Sequence, residues 1–160
     1  MIVMSKSVGA RDDSQRGATL VEFALALPIM MLILFGILDF SSAVRYSNSL
    51  SHAAREGARL ASVQNYSGGG WGAVGNAPGI YSGSASVPNN SVVARVVTHS
   101  NVPNPALLSI QIGTNGLGST QPYMNMPVTV QVTYPYTPTT TLIVGGASIN
   151  LSSRATMLIE

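Results

Sequence analysis

Apolar and small residues run almost unbroken from Ala18 to Leu38, inside the stretch RGATLVEFALALPIMMLILFGILDF (Arg16 to Phe40). Glu22 is the only ionisable residue within that run. A helix that spans a bilayer needs about 20 such residues at a rise of about 1.5 Å each. Pro28 removes one backbone donor, which in lipid kinks a helix rather than abolishing it. A secretory signal peptide has a shorter apolar core, about 7–15 residues, followed by a small-residue cleavage site. Here the run is longer and no A-x-A-like site follows closely. The pattern reads as a retained anchor.

Beyond the anchor the periodicity stays helical. Ala43, Tyr46, Leu50, Ala53, Gly57 and Leu60 recur at alternating spacings of three and four, the period of a packed seam. Most of them are small, which suits close approach to a neighbour. No proline interrupts Ser41 to Gln64, so one helix is expected from Ala18 to Gln64, with only its first half in lipid. The pattern then breaks. Residues 66–90 are punctuated by Gly, Ser, Asn and Pro and read as a loop or linker, with Trp71 and Tyr81 available to pin it. Ser91 to Ser100 reads as a short helix, with Asn89, Asn90 and Ser91 as possible N-caps and Val92, Val93, Val96 and Val97 on one face, although its run of valines also fits a strand.

The last third alternates as strands do. Leu107 to Ile112 is short. Val128, Val130, Val132 and Tyr134 alternate with Thr129, Gln131 and Thr133, and Ile149, Leu151, Ala155, Met157 and Ile159 share one parity. Pro135, Pro138, Gly145 and Gly146 bracket a turn-rich connection around Leu142 to Val144. The expected fold class is α+β: a long N-terminal helix, transmembrane in its first half, with a small antiparallel β-sheet head packed on its upper part.

Composition narrows the chemistry. Of 160 residues, about 95 lie beyond the long helix, enough for one small domain. Eight Lys and Arg against six Asp and Glu, without a basic cluster, argue against nucleic-acid binding. The chain has no cysteine, so disulfides and thiolate metal sites are excluded. Between Arg59 and Glu160 there is no Asp or Glu, and the two histidines are His52 and His99. A catalytic dyad, a triad or a hard-metal site therefore lacks its carboxylates. Gly68 to Gly70 lacks the lysine of a phosphate loop. Neither an enzyme nor a cofactor is expected. Lys6, Arg11 and Arg16 before the anchor favour a cytoplasmic N-terminus, but Arg45, Arg55 and Arg59 follow it at similar density.

Glu22 needs an explanation, because a carboxylate in a membrane helix is costly and such residues mark function by default. The bland reading places it at headgroup level, where the helix dipole favours an acid. Asp39 and Arg45 read as interfacial anchors. In HAAREGAR (His52 to Arg59), Ala53, Ala54, Gly57 and Ala58 are helix-packing positions. Glu56 and Arg59 form a possible i,i+3 pair, and Arg55 and Arg59 are possible partner or lipid contacts.

Gly17-Ala18-Thr19-Leu20-Val21-Glu22 and the apolar run after it resemble the processing site of type IV pilin-like proteins. With HAAREGAR the resemblance narrows to the TadE/TadG group, pseudopilins of the tight-adherence (Flp-type) pilus. VTVQVTYPYTP (Val128 to Pro138) and SRATMLIE are similar to the ends of those proteins. The resemblance implies a pilin-like fold and no catalytic role. It also implies cleavage by a prepilin peptidase between Gly17 and Ala18, with a cytoplasmic leader 1–17 removed. The new Ala18 ammonium would pair with Glu22 of a neighbouring subunit, which lowers the cost of both charges in lipid. Pilins that are N-methylated usually begin with Phe, whereas this chain would begin with Ala18. The implied partners are other pilins or pseudopilins, the inner-membrane pilus assembly platform and membrane lipid, and the implied location is the inner membrane.

The expected order is therefore leader 1–17, transmembrane helix 18–40, extracytoplasmic helix 41–65, linker 66–90 and a β-rich extracytoplasmic domain 91–160. The rival reading is a membrane-anchored binding module whose Trp71, Tyr81 and Tyr123 line a site. It predicts an uncleaved leader and no dependence on Glu22. A membrane-bound hydrolase is a third reading, against which the missing carboxylates argue.

Overall fold

The computed structural model describes residues 10–64, 79–83, 91–114, 125–141 and 145–160, with side chains from Gly17 onward and not that of Gln64. The first helix, α1, runs Ala10–Gln64 and carries Pro28 inside it. Fifty-five residues at about 1.5 Å each make it about 80 Å long. It begins within the leader 1–17. Arg11, Asp12, Asp13, Gln15 and Arg16 place no breaker in the way, and acids near a helix N-terminus are stabilised by its dipole.

The head is a four-stranded antiparallel meander, β1 (Gly79–Ser82), β2 (Ser109–Thr114), β3 (Pro127–Tyr136) and β4 (Ile149–Leu158), in spatial order β1-β2-β3-β4. A short helix, α2 (Val92–Ser100), lies beside α1, and one 3₁₀ turn, Pro105–Leu107, leads into β2. Ser91 is the N-cap of α2, its hydroxyl accepting from the Ala94 N–H at 3.2 Å. Asn101 ends the helix in the left-handed region at φ 44°, which Asn tolerates better than most residues.

β1 falls inside the segment read as linker. Four residues flanked by Gly and Ser carry too little pattern to be seen, and pairing with β2 (Gly79 to Ile112, Ser82 to Ser109) makes the strand. Tyr81 packs against the core. Trp71, Tyr123 and the apolar Leu142 to Val144 lie outside the described residues.

One face of the sheet and α2 close over the upper part of α1. Leu50, Ala53, Ala54, Ala58 and Ala61 of α1 meet Val92, Val93 and Val96 of α2, Ile110 and Ile112 of β2, and Val128, Val130 and Val132 of β3. Leu151, Ala155 and Met157 of β4 complete this layer half-buried, while Ile149 of the same parity is exposed. The opposite sheet face is polar. There Thr129 and Thr156 share a hydroxyl hydrogen bond at 2.9 Å, and Ser152 accepts from Gln131 and Thr133, each at 3.3 Å. A half-wet antiparallel sheet on a helix explains the alternation of β3.

Candidate functional site

The site is α1 itself, read at four levels from its N-terminal half upward. At the lowest, Gly17, Ala18 and Glu22 are exposed on the helix surface, and a Cβ at Gly17 would meet nothing within 4 Å among the described residues. Above them Leu20, Phe23, Leu25, Ile29, Ile33 and Ile37 are all more than half exposed, as are residues on every other side of the helix. The only described helix long and apolar enough to cross a membrane is α1, and none of its most apolar window is buried in protein. A helix apolar all round and uncovered needs a non-aqueous surrounding. This is what a single-pass membrane anchor presents.

At the second level the head grips the helix. Asp39 is 7% exposed, and its carboxylate accepts the backbone N–H groups of Thr139 at 2.8 Å and Thr140 at 2.7 Å. The Tyr136 hydroxyl donates to the Asp39 carbonyl at 3.2 Å and its carboxylate at 3.4 Å. Burial, with the Asp39 charge beside it, pushes the Tyr136 phenol above its ordinary value and keeps it a donor. Asp39, which its position marks as an interfacial anchor, is thus bound by the head. It is a clamp on the β3–β4 connection. The signal in the sequence was an acid at the end of an apolar run together with Thr139 and Thr140 after Pro138, whose N–H groups lie outside any ladder. Nothing local joins them across a hundred residues.

Tyr46 packs between Tyr134 and Tyr136, with ring centroids 6.2 and 5.7 Å away. A cleft of about 310 Å³ opens beside the three tyrosines, between Ser42, Pro103, Leu107 and Thr139. Among the described residues no His, Asp or Glu lines it.

The third level is the small-residue seam. Ala53, Ala54, Gly57 and Ala58 are buried, and they lie against α2 and the sheet of their own chain. At Gly57 a Cβ would come within 2.5 Å of Val96 Cγ2 and 3.3 Å of Val130 Cγ1. Only glycine lets α1 and α2 approach this closely. Two polar ties flank the seam. The Ser49 hydroxyl donates to the Ser100 carbonyl at 2.6 Å, and Ser153 donates to Ser51 at 3.0 Å.

The fourth level is the exposed flank of α1, at the margin of the head. Arg59 bonds Glu56 through two guanidinium nitrogens, at 3.0 and 2.8 Å, and Arg95 approaches the same carboxylate at 3.4 Å. The Arg59 hydrogen bond holds the Glu56 carboxyl below its ordinary range. Arg55 is exposed on this face. Among the described residues no three His, Cys, Asp or Glu side chains group in a way that could hold a metal.

A family model described as TadE-like protein matches residues 17–59. Over this stretch the chain is similar to TadE-like proteins. The TadE-like stretch begins at Gly17, contains Glu22, the apolar run, Asp39 and Ala53 to Ala58, and ends at Arg59. VTVQVTYPYTP and SRATMLIE, which form much of β3 and β4, lie outside the TadE-like match. No curated protein and no solved structure matches the chain.

Proposed function

We propose that this chain is a non-enzymatic, pilin-like minor component of a Tad-type pilus assembly, held in the inner membrane by residues 18–40 with its head on the extracytoplasmic side. The observation that carries the reading is the coincidence of the TadE-like match with a helix that is bare and apolar below Asp39 and locked to a head above it. A chain so built can stand in a membrane and present a rigid head at a fixed height.

In this reading a prepilin peptidase cuts between Gly17 and Ala18. The exposed Glu22 then offers its carboxylate to the Ala18 ammonium of a neighbouring subunit, which sets axial register as helices stack. The working partners are other pilins or pseudopilins and the assembly platform, and the outcome is surface adherence. The test is the intact mass of the chain extracted from its native membrane. A start at Ala18 that disappears when the peptidase is deleted is the expected result. A chain that keeps its leader in cells holding the peptidase would refute the processing. Glu22→Gln should leave cleavage largely intact and reduce pilus number, and normal piliation in that variant would sink the pairing argument.

A further inference from the structure

One face of α1 is explained by neither the anchor nor the head. Arg45, Asn48, His52, Arg55 and Arg59 follow one another at spacings of three and four, which sets them on one side of the helix. All five are exposed. Leu50, Ala54, Gly57 and Ala61, on the opposite side, are covered by the head. Arg45 lies 5.2 Å from the Tyr46 ring centroid and Arg59 is paired with Glu56. Arg55 has no ion-pair partner among the described residues.

Charge decides what can lie on this face. From Ser41 onward the chain holds Arg45, Arg55, Arg59, Arg95 and Arg154, no lysine, and only Glu56 and Glu160 as acids. Glu56 is already shared by Arg59 and Arg95. A second copy laid here would set arginine against arginine with almost nothing to offset the repulsion. Lipid fails on distance. Arg45 to Arg59 spans about 21 Å of helix, whereas headgroup attraction decays over a Debye length of about 8 Å. Headgroups that reach Arg45 do not reach Arg55 and Arg59.

We propose that this face docks an acidic segment of a different protein, one that runs at least about 20 Å along α1 and presents carboxylates to Arg45, Arg55 and Arg59. Guanidinium groups suit this because their planar fork binds a carboxylate in two places at once. The proposal rests on the reading that residues beyond Phe40 stand outside the lipid, and it does not need the leader to be cleaved.

The test places a photo-crosslinking amino acid at Asn48 of the full chain in its native membrane, with a control at Ser152 on the polar outer face of the sheet. Irradiation should give one discrete adduct with another protein from position 48 and not from 152, and the mapped peptide should be rich in Asp and Glu. The double substitution Arg45→Glu, Arg55→Glu should cut the yield at least about tenfold, and reversing the mapped carboxylates to lysine should restore it. Protease resistance of the head checks folding, and Arg55→Glu alone should give a smaller loss if the double variant fails that check. An adduct between two copies, adducts with lipid alone, or a yield indifferent to the charge reversals would overturn the proposal. A chain retained in the carbonate-washed membrane pellet without any adduct also overturns it. A chain lost from that pellet overturns the anchored reading, and the proposal falls with it.

Discussion

Gly57 gives the sharpest test of how the head sits on α1. In Gly57→Ala the new Cβ would stand 2.5 Å from Val96 Cγ2, where carbon atoms pack best at about 3.5–4.0 Å. Val96 is fully buried on α2, and a valine in a helix has essentially one χ1 well, so the overlap must be absorbed by moving the two helices apart. Overpacking of this kind costs about 1–3 kcal/mol. Replacing a helical glycine by alanine returns about 1 kcal/mol of propensity. The net loss should be about 1 kcal/mol, or roughly 4–8 °C in the thermal midpoint of a small domain. Gly57→Val also presses on Val130, whose Cγ1 is 3.3 Å from the Cβ position, and should lose about 3 kcal/mol. Thermal unfolding of the detergent-solubilised full chain, followed by circular dichroism, measures both. Gly36→Ala is the control, since a Cβ there meets nothing within 4 Å. Val96→Ala should cost about 1 kcal/mol less in the Gly57→Ala background than alone, because it removes the clashing methyl. A Gly57→Ala chain that melts higher than the parent, or a double variant whose effects simply add, would refute the close-approach account.

Three further outcomes are expected. Asp39→Ala leaves the Thr139 and Thr140 N–H groups without their acceptor and should cost about 2–3 kcal/mol. Hydrogen exchange at those two amides should quicken, and unchanged exchange would show that the clamp is idle. Ile159 is almost fully buried and ties to Met126 through a 2.9 Å backbone bond, so Ile159→Ala should lower stability by about 2–4 kcal/mol in the same melts. For Glu56 the folded carboxyl is held down, first by the Arg59 hydrogen bond, so its contribution is present above the ordinary pKa of 4.5 and is lost as pH falls through the depressed value. The pair is exposed, so the parent should exceed Glu56→Gln by about 0.2–1 kcal/mol at pH 7. That gap should shrink below pH 4.5, and a gap that widens in acid would contradict it.

The features legible in the sequence were those with a strong local period. The apolar run, the three-and-four spacing up to Leu60 and the alternation of Val128 to Tyr134 each repeat often enough to outvote single residues. Ser91 is one of three cap candidates before α2, and its hydroxyl is the one that caps the helix. β1 went unseen because four residues on a sheet edge are strand only by virtue of β2. The contacts of Asp39 are hidden from the sequence for a related reason. On its own helix it is one acid at the end of an apolar run, and its meaning comes from Thr139 and Thr140. The small residues at 53, 54, 57 and 58 told that something packs closely there without telling what. In this chain α2 and the sheet fill that place.

The ties between α1 and the head also set an order of events. Asp39 meets Thr139 and Thr140 across 100 and 101 residues, and Ser51 meets Ser153 across 102. Contacts this distant slow folding, because a long loop must close before they repay its entropy. β4 lies over α1 and is the last strand of the meander. In the orientation proposed above, Leu50 and its neighbours wait incompletely covered during export, and β3 waits with an unpaired edge, until β4 has followed the rest of the head across the membrane. For that interval the chain is tethered at one end and sticky at the other. Its yield in the cell should depend on whatever shields the half-built head while the tether holds it in place.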